Sequence, residues 1–130
     1  MLDGTRQIPI DRGAGDVAAL ETAVAALREG EAVCIFPEGT ISRGQYLRAR
    51  RGVARLAEAA PDARIVLAAV SGGTDLVRFP RRPRVVVELF APADGHRLPG
   101  EDHAAFAGRL LGEIRERVAP VAAGRRQAPA

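Results

Sequence analysis

An unbroken run of apolar, β-prone residues, Ala32-Val33-Cys34-Ile35-Phe36, stops at Pro37 and gives way to Glu38-Gly39-Thr40-Ile41-Ser42-Arg43-Gly44. A run of that length and type predicts a strand buried on both faces, as in a parallel sheet covered by helices. The eight residues after it hold a proline, two glycines and two hydroxyls, which rules out regular structure and predicts a loop. In open α/β sheets, ligands bind in the crevice beyond the carboxyl ends of the strands, where this loop would fall.

The rest of the chain repeats the alternation. Residues 7–10 read as a short strand ending at Asp11-Arg12, and Gly13 to Gly15 break the pattern. A helix then starts with Asp16 as N-cap, carries Leu20, Val24 and Leu27 at helical spacing and stops at Gly30. A second helix fits residues 51–60, with Val53, Leu56 and Ala57 on one side, and Pro61-Asp62 end it. Residues 65–70 predict a second buried strand, Ser71-Gly72-Gly73-Thr74 a turn, and residues 85–90 a third strand nearer an edge. Asp102 is placed to cap a last amphipathic helix in which Phe106, Leu110, Ile114 and Val118 recur every fourth residue, leaving Arg109, Glu113, Arg115 and Arg117 outside. The fold class expected is α/β, a mostly parallel sheet with flanking helices over residues 1–118, followed by a disordered tail at 119–130.

At 130 residues the chain is one domain's worth, enough to bury about two-thirds of its unfolded surface. Apolar residues make up 47% but aromatics only 4%, so the core is expected to be finely packed and short of large anchors. All 19 basic residues are Arg, scattered among 16 acidic ones, and with so few aromatics a nucleic-acid surface is not expected. The single Cys34 has no disulfide partner and reads as a small core residue. No apolar stretch is long enough to span a bilayer, and Asp3 and Arg6 stand where a signal sequence needs an apolar core. The expected location is cytoplasmic, with peripheral contact at the inner face of the membrane left open.

The loop after residue 36 is also chemically suggestive. Gly39 lets the backbone approach a ligand, Thr40 and Ser42 can donate hydrogen bonds, and Arg43 can supply charge to an anion. A tight turn that merely closes the strand explains the same residues.

Ile8-Pro9-Ile10-Asp11-Arg12, followed about two dozen residues later by Phe36-Pro37-Glu38-Gly39-Thr40-Ile41-Ser42, resembles the second and third motifs of the 1-acylglycerol-3-phosphate (lysophosphatidate) acyltransferase family. The helix between them, the step around residues 50–56 and the apolar segment 65–70 followed by Ser71-Gly72 fit the same pattern, so the resemblance spans residues 4–74. It implies transfer of a fatty acyl group from acyl-CoA or acyl carrier protein to a hydroxyl of lysophosphatidate or glycerol phosphate in phospholipid biosynthesis, with no cofactor or metal. Arg12 would pair with the acceptor phosphate, Glu38 and Gly39 would bind or shape the glycerol phosphate site, Thr40 and Ser42 would line it, and residues 65–70 would lie near the acyl donor or chain. A surface ion pair of Arg12 with Asp11 or Asp16 is the plainer alternative.

This chain departs from the family pattern at Ile41, where an Arg is common and Arg43 lies two positions on, and at Leu67, where a Pro is usual. The family's first motif, His-x-x-x-x-Asp, supplies the general base and lies upstream of the second. These residues do not contain it: the histidines are His96 and His103. Glu101 follows His96 by five positions, but Pro99-Gly100 intervene and the segment lies after the last strand, so it is not read as that motif. The expectation is an incomplete acyltransferase domain, inactive alone. The alternative is a non-catalytic module that binds glycerophospholipid or a partner, since missing strands leave an edge to pair.

Overall fold

The computed structural model describes residues 6–9, 16–73 and 84–122. Along the chain come α1 (Val17–Arg28), α2 (Gly52–Ala59), β1 (Leu67–Ser71), β2 (Val86–Phe90) and α3 (His103–Arg117).

The three helices stand where apolar periodicity placed them. Gly30, at φ 83, lets the chain turn out of α1, and its N–H bonds the Leu27 carbonyl at 3.1 Å. Asp16 precedes α1 in a left-handed conformation and makes no side-chain cap bond, contrary to the N-cap expected of it. Asp102 does cap α3: its carboxylate accepts from the Ala105 N–H at 2.7 Å.

The sheet differs from expectation. Among the described residues it has two strands, and β1 pairs with β2 antiparallel, from Leu67 opposite Phe90 to Ser71 opposite Val86. A parallel return needs a crossover of a dozen or more residues, usually a helix. Between Ser71 and Val86 the sequence offers glycines, prolines and arginines with no helical apolar period, so the chain doubles back. Gly72, at φ 77, marks the exit from β1; a Cβ there would run into the Arg84 carbonyl oxygen.

Residues 32–36 form no strand, and the strand predicted over 7–10 is absent at 7–9, residue 10 lying outside the described residues. An apolar run becomes a strand only when a neighbour supplies a ladder, and none of the described residues pairs with this one. Ile35 instead lies over the start of α2, where a Cβ on Gly52 would come 3.6 Å from its Cδ1. Cys34 is accordingly exposed rather than in the core.

The core is small. Ala54 and Ala57 of α2, Leu67 of β1, and Phe106 and Leu110 of α3 are buried together, with Val53, Ile65, Phe90 and Ile114 packed around them. Phe106 is the one large side chain fully enclosed among the described residues. Alternate β1 residues face this core, Leu67 and Ala69 inward and Ala68 and Val70 outward, so the strand is buried on one face and not two. On the other face Val66, Val70, Val87 and Leu89 are at least half exposed.

Candidate functional site

The loop from Pro37 onward is held by few bonds of its own. The Gly39 N–H bonds the Phe36 carbonyl at 3.1 Å, the Gln45 N–H bonds the Ser42 carbonyl at 3.0 Å, and the Arg50 N–H reaches back to the Pro37 carbonyl at 2.7 Å. Gly39, Arg43 and Gly44 all take positive φ, the last two in succession. Arg43 bears that strain without being glycine. At Gly39 a side chain would also press on the Arg50 stem, 3.2 Å from its Cγ.

This loop stands beside the carboxyl end of β1, not at the end of a strand 32–36 as expected, since that strand does not form. Between them lies a cavity of about 290 Å³, lined by Glu38 and Ser42 of the loop, the segment from Val70 to Gly73, and Leu111, Ile114 and Arg115 of α3. Residues 118–121 close its far side, and Gly44 approaches Ala122 so closely that a Cβ would meet the Ala122 nitrogen at 2.9 Å. Residues 119–122 thus adjoin the loop and the cavity.

Of the residues expected to bind the acceptor, Glu38 and Ser42 face the cavity. Gly39, Thr40 and Arg43 are on the exposed side of the loop. Arg12 lies outside the described residues, as do Asp11 and Ile10 of the same motif.

One cavity residue was not anticipated. Arg115, which helical periodicity assigned to solvent, has a side chain only 19% exposed. Its Nη2 lies 3.8 Å from Glu38 Oε1 and donates to the Leu47 carbonyl, and its guanidinium lies 5.1 Å from the centre of the Tyr46 ring. No sequence signal separates Arg115 from its exposed neighbours Glu116 and Arg117, because the contact comes from how the loop folds over α3.

The histidines lie elsewhere. His96 stacks on Phe106 with ring centres 6.0 Å apart, and its carbonyl accepts from Arg109. Phe106 and Arg109 precede Arg115 on α3 by nine and six residues, which places them about 9 to 13 Å back along the helix axis. His103, the first residue of α3, sits 3.0 Å from Glu58, which also pairs with Arg97 at 3.1 Å. The hydrogen bond from Arg97, then that from His103, holds the Glu58 carboxyl below its ordinary range. Together with Arg51, Asp102 and Ala104 these side chains line a second cavity of about 340 Å³. It is a polar cluster joining α2 to α3 and shares no lining residue with the first cavity.

Among the described residues no group of His, Cys, Asp and Glu is disposed to hold a metal ion, and no helix is long and apolar enough to cross a membrane.

The first cavity is polar at the loop and apolar along α3. It brings together one carboxylate, one guanidinium, one hydroxyl and an apolar wall beside a glycine-rich strand end, without an imidazole. Comparison with curated proteins finds no match, and comparison with solved structures finds none either. A family model does match: the Acyltransferase model aligns with residues 1–71, which include the whole loop and end at the last residue of β1. That is more than half of the chain, and the chain therefore belongs to the acyltransferase family.

Proposed function

We propose that this chain carries the acceptor side of a glycerolipid acyltransferase site, with lysophosphatidate or glycerol phosphate as acceptor and an acyl thioester, acyl-CoA or acyl carrier protein, as donor. In that reaction the acceptor hydroxyl oxygen attacks the thioester carbonyl, its proton passes to a base, and the thiol leaves. The residues assigned here hold the acceptor for that attack. Arg12 pairs with the phosphate, for which a guanidinium fork is suited. Glu38 accepts from a glycerol hydroxyl, Ser42 and Thr40 donate to ligand oxygens, Gly39 admits the ligand to the backbone, and Arg43 adds positive charge at the loop's outer face.

The observation that carries this reading is the cavity between the loop and the end of β1, polar at Glu38 and Ser42 and apolar along Val70, Leu111 and Ile114. A lysolipid has the same division between head and chain. Neither His96 nor His103 reaches the cavity, so the 130 residues alone bind an acceptor without acylating it. The test has two parts. Titration with lysophosphatidate gives saturable binding that Arg12→Ala weakens by about tenfold or more, the scale of one charge-assisted contact. Mixing chain, acyl-CoA and lysophosphatidate gives no phosphatidate. Binding indifferent to Arg12 and Glu38 overturns the acceptor assignment, and turnover by the isolated chain overturns the assignment of the base elsewhere.

A further inference from the structure

We propose that Arg115 is a positioning residue for the loop that presents Glu38 and Ser42, so that a helix beyond the family-matched segment governs the geometry of the acceptor site; this rests on the reading of that loop as the acceptor site. The segment from Pro37 to Arg50 contains no helix or strand. The backbone bonds described above close single turns within it and brace one end against the other. None ties it to the helix it lies on. Arg115 supplies that tie. Its Nη2 sits between the Glu38 carboxylate and the Leu47 carbonyl, nine residues apart in the chain, and its guanidinium plane is within cation–π range of Tyr46. One side chain thus touches the loop at three residues.

The environment suits such a clamp. The Arg115 and Glu38 side chains are 19% and 22% exposed, so the pair is only partly screened by water. The Arg115 position near the carboxyl end of α3 already favours a cation, but the helix dipole favours any basic residue there and does not specify a fork. A guanidinium can address a carboxylate, a carbonyl and an aromatic face together, whereas an ammonium is a point charge. Glu38 Oε2 and Arg115 Nε are both buried without a hydrogen-bond partner among the described residues.

Tyr46 makes the clamp observable, because it is the single tyrosine of a chain without tryptophan, and the near-ultraviolet tyrosine signal reports it alone. The experiment compares the full chain with Arg115→Gln, Arg115→Lys and Glu38→Gln by tyrosine circular dichroism, by amide exchange and by titration with sn-glycerol 3-phosphate. The expected result is that Arg115→Gln shifts the Tyr46 signal and speeds exchange of the amides from Glu38 to Leu47 by about tenfold, as for release of a local opening unit, while the α3 and β1 amides keep their protection. Arg115→Lys rescues the charge but not the exchange, and glycerol 3-phosphate binding falls about tenfold in both Arg115 variants with Glu38 and Ser42 intact. Unchanged loop exchange and an unchanged Tyr46 signal in both Arg115 variants overturn the proposal. So does uniform loss of protection throughout the chain in the Arg115 variants and Glu38→Gln alike, which would make Arg115 a general stability residue. Should the loop respond as expected while the parent chain binds no glycerol 3-phosphate, the clamp stands and the acceptor reading falls.

Discussion

Arg109 and Glu101 meet as a two-pronged pair, Nε to Oε1 at 2.8 Å and Nη2 to Oε2 at 3.0 Å, and the same Arg109 Nη2 also donates to the His96 carbonyl at 3.2 Å. Their side chains are 18% and 10% exposed, and the Arg109 guanidinium lies 5.3 Å from the centre of the Phe106 ring. The pair fastens the connection between β2 and α3 over the one large core side chain. Arg109→Ala leaves the Glu101 carboxylate largely shielded from water with the Leu98 N–H as its remaining partner. It is expected to cost about 2 kcal/mol of stability, the scale for stranding a shielded charged acceptor. Urea unfolding of the variant reads this directly, and a loss near zero removes the pair from the fold's support.

The same pair sets the acid limit. The bond from Arg109 holds the Glu101 carboxyl below its ordinary range, and the bond from the Ala105 N–H does the same for Asp102. A carboxyl whose folded value is depressed stabilises the fold above its unfolded value, near 4, and loses that contribution as the pH falls through the folded value. The unfolding midpoint should therefore be level from pH 7 to about pH 5 and decline below about pH 4. Glu101→Gln should start lower at neutral pH and decline less steeply, and parallel curves for the two proteins would be the contrary result.

Phe106 is 0% exposed in a core otherwise made largely of alanine, valine and leucine. Phe106→Ala removes its largest piece, and substitutions of this kind cost about 3 to 5 kcal/mol. In a chain with so small a core the expected outcome is loss of the cooperative thermal transition, not a shift of it. Phe106→Leu should keep a transition at lower temperature.

Cys34 is exposed in the segment before the loop. A thiol reagent should label it in the folded protein without denaturant, at a rate similar to that in urea. Labelling that waits on unfolding would place the thiol under a cover, as the apolar run around it had suggested.

What the sequence disclosed depended on the range of the contacts involved. The helices were legible because Leu20, Val24 and Leu27 in α1, Val53, Leu56 and Ala57 in α2, and Phe106, Leu110 and Ile114 in α3 each recur at a period that only a helix brings to one face. The loop at 37–44 was legible because proline and glycine act on their own backbone. Residues 32–36 misled because an apolar run of five has no period to read, and its state depends on whether another strand lies alongside. The direction of β2 depends on the connection after Ser71, which has no helical apolar period to carry a parallel crossover, a feature that the alternation of elements does not show. Within the site, Glu38 and Ser42 were visible in their own motif, whereas Arg115 becomes a neighbour of Glu38 only through folding, 77 positions along the chain.

The close approach at Gly72 reaches beyond this one molecule. Every missense single-base change in a glycine codon installs a Cβ, and at this position the Arg84 carbonyl occupies the space it needs. The codon for residue 72 therefore has no missense neighbour that leaves the β1 exit undisturbed. A random mutational library screened for folded protein should recover synonymous changes alone there.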